Sequence, residues 1–182
     1  MNKTEARRQL ITEMLADHIL ARGLQGAGLR SLAAAAGTSD RMLLHYFKDK
    51  EELLTATLLL VSARLEALLE SARSEPLPFH ALLPQLAGML KHPDIRPYLK
   101  LWLELAALAA GEGDTYRPIA RSICDGFFDW ITATIKVERE ADRIPLASLA
   151  LATIEGLVLL DALDMDAKID AALEGLALTA AR

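Results

Sequence analysis

Apolar residues recur along this chain at spacings of three and four, the repeat of helices that hide one face. Ile11, Leu15 and Ile19, with Leu10 and Met14 beside them, predict a first helix over residues 4–22 capped by Thr4. Gly23, Gly26 and Gly28 end it and make a loop. Two short helices, 30–36 and 40–46, flank Gly37, the second capped by Ser39. Asp49 opens a long helix to about residue 72, and Glu52 completes a capping box with it. Leu54, Leu58, Val61, Leu65 and Leu68 are its stripe, and "SEPLP" breaks it. Further helices follow over 79–90, 94–110, 114–137, 146–163 and 166–180, divided by "KHPD", "GEGD", "DRIP" and "DMD". Ala and Leu dominate and β-branched runs are scarce, so propensity agrees with periodicity. The expected fold is all-α, with about nine helices. A three-helix N-terminal head, residues 1–49, carries a helix-turn-helix, and a larger helical bundle fills residues 50–182.

Composition adds bounds. The chain has 182 residues, 52% of them hydrophobic and 25% charged, which supports a packed core with apolar surface to spare for an oligomer. Cys124 is the only cysteine, so no intramolecular disulfide and no cysteine zinc cluster can form. It reads as a small buried residue. His18, His45, His80 and His92 are scattered without an HExxH pattern, and neither GxSxG nor a P-loop occurs. No enzyme, cofactor or metal site is expected. Asp161, Asp164 and Asp166 lie where one helix ends and the next begins, which suits capping and solvation. "MNKTEARRQL" lacks a signal-peptide core, and the most apolar stretch, 146–160, falls short of the roughly 20 residues that span a bilayer. A cytoplasmic protein without membrane contact is expected.

Charge is unevenly spread. The net charge is −5, yet residues 1–50 hold eight basic side chains against five acidic ones. Residues 1–50 therefore carry a surplus of three and residues 51–182 carry −8. Affinity for phosphates follows the local field, not the total.

The stretch "LRSLAAAAGTSDRMLLHYFKDKEELL" carries the chemistry. Small Ala33–Ala36 allow close approach of a crossing helix, and Gly37 permits the positive φ that ends a helix sharply. Leu32, Leu43 and Phe47 form the apolar side that holds the pair to the first helix. The opposite side offers Thr38, Ser39, Asp40, Arg41, Met42, His45 and Tyr46, groups able to read base edges or grip phosphates. "LAAAAGTS", "LLHYF" and "KDKEEL" resemble the signature of TetR/AcrR-type transcriptional regulators. The resemblance implies phosphate contacts by Tyr46 and Lys50, joined by Arg30 and Ser31 at the start of the preceding helix. It also implies double-stranded DNA with a palindromic operator as the partner. Three features depart from the pattern. Leu44 replaces a common Tyr, Arg41 and Met42 replace small residues, and Asp40 brings a carboxylate near DNA. Asp40 either accepts from a cytosine amino group or favours the helix N-terminus.

In the bundle, Leu149, Thr153, Gly156 and Leu160 share a stripe on a helix apolar nearly all round, and Leu173 and Leu176 continue it on the last helix. By the resemblance these two helices pair with a second copy, giving a homodimer. Met89, Trp102, Ile123, Phe127, Phe128, Trp130 and Ile131 are either plain core or the lining of a pocket for a small apolar effector, with Glu104, Thr153 and Glu155 as candidate polar contacts. The reading is a ligand-responsive repressor. The alternatives are an activator on the same fold and a helical small-molecule binding protein without DNA binding.

Overall fold

A computed structural model describes residues 3–71, 75–111 and 115–180. Among these the chain forms nine α-helices. They are α1 Lys3–Arg22, α2 Leu29–Ala35, α3 Asp40–Tyr46, α4 Lys50–Ser71, α5 Phe79–Met89, α6 Arg96–Ala110, α7 Tyr116–Thr134, α8 Arg143–Ala162 and α9 Asp166–Ala180. The all-α expectation holds. The expected ends at Ala72 and Asp114 lie outside the described residues.

The chain divides into two compact units, Met1–Ala67 with Lys100–Ile123, and Leu68–Leu99 with Cys124–Arg182. In the first, α1 packs on α2 and α2 on α3. Ile11, Leu15, Ile19, Leu32 and Leu43 are fully buried and Phe47 nearly so. Of the four alanines, Ala33 and Ala36 are buried, while Ala34 faces outward. Gly37 has φ +60, which a side chain would strain.

Asp49 caps α4 by accepting from the Glu52 N–H at 2.8 Å. Glu52 returns the bond to the Lys48 N–H at 2.6 Å, one residue earlier than a standard capping box. Glu52 also meets Arg8 at 2.6 Å, and the Arg8 guanidinium lies 4.9 Å from the centre of the Phe47 ring. Farther along α4, Arg64 bonds Glu13 and, at 2.7 Å, Asp17. Two arginines therefore lace α1 to α4.

In the second unit α5, α8 and α9 pack on one another. The buried face of α8 comprises Ala147, Ala150, Ile154, Leu157, Val158 and Asp161. The strands β1 Leu77–Pro78 and β2 Ile135–Lys136 pair in parallel, Leu77 opposite Ile135. This ladder ends α7 at Thr134, before the expected 137. A 3-10 turn, Glu140–Asp142, leads into α8, which starts at Arg143 and not at 146. Pro145 is accommodated in the first turn, where its missing N–H would have had no helical partner. Arg143 closes the corner, donating to the carbonyls of Thr132 at 3.0 Å and Ile135 at 2.8 Å while Glu140 holds its other face at 2.7 Å.

The helical stretch leading into and through α8 is thus longer than the expected 146–163. Glu140–Ala162 spans 23 residues and is long and apolar enough, by length and composition only, to cross a membrane. Its buried face packs on α5 and α9. Two further expectations are corrected. Thr4 lies inside α1 instead of capping it. Asp161 is buried, not solvated, with Arg96 3.7 Å away as its counter-charge.

Candidate nucleic-acid interface

The helix-turn-helix presents its polar side outward. Ser39 starts α3 by accepting from the Met42 N–H at 3.3 Å, which fixes the register of the helix. Within α3, Leu43 turns inward and anchors the helix. Arg41, Met42, Leu44 and His45 are exposed, while Asp40 and Tyr46 are half-buried. Tyr46 and His45 meet edge to face, with centroids 5.2 Å apart. Arg30 and Ser31 are exposed on α2, Thr38 is half-buried and Lys50 is exposed at the start of α4. Of the residues singled out for DNA contact, none is buried in the core.

Leu44 departs from the pattern that the sequence resembles. It is 45% exposed, beside Met42 at 41%, so it is a surface residue of α3. Its exposure could not be told from core by helical spacing, since it neighbours buried Leu43. Arg8 counted toward the basic head, but its charge is already matched by Glu52.

The other candidate residues scatter more. Trp102 and Ile123 belong to the first unit, and Met89, Phe127, Phe128, Trp130 and Ile131 to the second. Ile131 is fully buried and the others are half-buried. Phe127 and Trp130 stack nearly parallel at 5.9 Å, and the Trp130 indole N–H donates to Glu70 at 3.3 Å. Thr153 uses its hydroxyl on the Leu149 carbonyl at 2.7 Å. Glu104 accepts from the Leu24 N–H at 2.7 Å, within the first unit.

Leu149 and Gly156 are exposed on α8, and Thr153, Leu160, Leu173 and Leu176 are half-buried. Leu159, Leu163 and Leu178 extend this apolar surface, at 51%, 58% and 71% exposure. Among the described residues, no group of three or more His, Cys, Asp or Glu is placed to hold a metal ion.

Comparison with known proteins agrees with this geometry. The family model for bacterial regulatory proteins of the tetR family matches residues 15–57. The HTH-type transcriptional regulator PksA of Bacillus subtilis is 29% identical over 166 residues, covering 88% of this chain and 80% of that protein. A TetR-family regulator from Cytophaga hutchinsonii superposes with a TM-score of 0.74 at 19% identity, covering 97% and 94% of the two chains. The regulator FadR of Bacillus subtilis, solved with stearoyl-CoA, superposes with a TM-score of 0.57 at 18% identity over 92% and 96%. Residues 15–57 thus carry the helix-turn-helix of the tetR family of bacterial regulatory proteins, and the chain as a whole is similar to transcriptional regulators of that type.

Proposed function

We propose that the chain is a homodimeric repressor that reads a palindromic site in double-stranded DNA and releases it when a small apolar effector binds. The observation that carries the reading is the outward side of α3, where Arg41, Met42 and His45 stand exposed on a helix pinned from behind by buried Leu43. Arg41 offers the forked donor that suits guanine. Met42 and Leu44 offer apolar surface that suits a thymine methyl. Arg30, Ser31, Tyr46 and Lys50 supply phosphate contacts that set the register. Asp40, at the first position of α3, favours that helix end by its charge. Residues 1–49 form the DNA-binding part, and residues 50–182 bind ligand and dimerise.

The exposed apolar stripe of α8 and α9 supports an isologous pair, which gives two heads for two half-sites. The effector site is proposed along the aromatic stretch of α7, at Phe127, Phe128, Trp130 and Ile131, with Met89 of α5. Stearoyl-CoA bound by a regulator of the same fold supports an effector with a long apolar part. An effector favouring the state that does not bind DNA shifts the population toward it, with α4 as the carrier. Such a protein works in the cytoplasm, where its DNA lies.

Fluorescence anisotropy on duplexes selected from a random pool tests the reading. Lys50→Ala is expected to weaken binding to all of them alike and to lower the salt slope by about one. Failure of the wild-type chain to bind any duplex in a salt-sensitive way would sink the proposal.

A further inference from the structure

The end of α1 leaves one backbone donor over. Gly23 adopts φ +75 and its N–H bonds the Ile19 carbonyl at 2.8 Å, the single-bond form of a left-handed helix stop. In the two-bond form the next N–H would also turn back into the helix. Here the Leu24 N–H goes instead to the Glu104 carboxylate of α6, 80 residues away, at 2.7 Å. Leu24 is only 5% exposed, so water is a poor substitute acceptor. A Cβ on Gly23 would lie 2.5 Å from both carboxylate oxygens, so the glycine also makes room for the acid.

A carboxylate at this place is not an ordinary helix stop. The C-terminal end of a helix carries negative partial charge and favours cations. A short charge-assisted bond to a nearly buried donor offsets that cost. The bond also has somewhere to act. The Leu24 carbonyl accepts from Ala27 N–H at 3.0 Å, and the Gly28 carbonyl accepts from Leu32 N–H at 2.9 Å in the first turn of α2. Residues 25–28 alone separate the held amide from α2, which packs on α3.

We propose that Glu104 is a positioning residue for DNA reading. Its carboxylate holds the turn after α1 and thereby the α2–α3 pair that the turn feeds. Glu104 does not touch DNA; it acts through the Leu24 amide. A movement of α6 that withdraws Glu104 loosens the turn. The inference rests on the DNA-reading proposal above.

The test combines amide hydrogen exchange with duplex binding, on the full chain. In Glu104→Ala the Leu24 amide should exchange at least about tenfold faster, the loss expected for a bond to a charged acceptor. The Ile11 and Leu15 amides should keep their wild-type rates. Affinity for duplexes selected by the wild type should fall about tenfold in the same variant. Glu104→Gln, whose amide oxygen can still accept, should restore both. If Glu104→Ala does not fold, Glu104→Asp takes its place; one methylene shorter, it should expose Leu24 where Gln protects it. Equal Leu24 exchange in wild type and variants would overturn the proposal. So would a uniform rise over all amides, or faster Leu24 exchange with unchanged duplex affinity. Absence of duplex binding by the wild type would remove the underlying DNA-reading proposal, and that is read with Glu104 intact.

Discussion

Gly23 answers to two constraints, a left-handed backbone and the nearby Glu104 carboxylate. Gly23→Ala is therefore expected to cost about 1–2 kcal/mol from backbone strain, plus the displacement of the acid. Chemical denaturation should show the larger loss in the wild type and only the strain part in a Glu104→Ala background. Equal losses would contradict the coupling. Arg41 is exposed on the reading helix, so Arg41→Ala should change which duplexes are selected. A loss of affinity equal for all sequences would reduce Arg41 to a phosphate contact. Cys124 is a different case. Burial pushes its thiol above the ordinary value, and the carboxylates of Glu155 and Asp125 add to the effect. Little thiolate is then present at neutral pH, and iodoacetamide should alkylate it more slowly than a free cysteine. A rate equal to that of the free amino acid would be inconsistent with this environment.

Among elements, α3 depends on one buried anchor, Leu43. Leu43→Ala should cost about 2–5 kcal/mol in thermal or chemical denaturation. Met42→Ala, at an exposed position, should cost far less while altering DNA preference. The positions of most helices were legible because glycine and proline punctuate a strong apolar repeat: α3 and α9 begin and end where the sequence put them. The start of α8 was misplaced because Pro145 reads as a breaker, although a first turn tolerates it. The β1–β2 ladder went unseen, since two residues per strand leave no alternation to detect. The contacts of Arg8, Arg64 and Glu104 had no local signal at all. Each joins residues more than 40 positions apart, and nothing in spacing marks which acid a given arginine will meet. Glu104, a candidate polar contact for an effector, accepts from the chain's own backbone at Leu24.

For the whole molecule, the exposed apolar residues of α8 and α9 make dimerisation the property to test. Leu149→Glu puts a charge on a residue 49% exposed in the single chain, so folding should be little affected. Size-exclusion with light scattering should show wild-type dimer and variant monomer. A variant that remains dimeric would place the interface elsewhere. The corner closed by Arg143 has a consequence for the order of assembly. Its bonds to Thr132 and Ile135 span 11 and 8 residues, so closing that loop loses little chain entropy. The Leu24–Glu104 bond spans 80 residues, so closing it loses more chain entropy. Pulsed hydrogen exchange during refolding should thus protect the end of α7 early and the Leu24 amide late. Simultaneous protection of both sites would contradict that order.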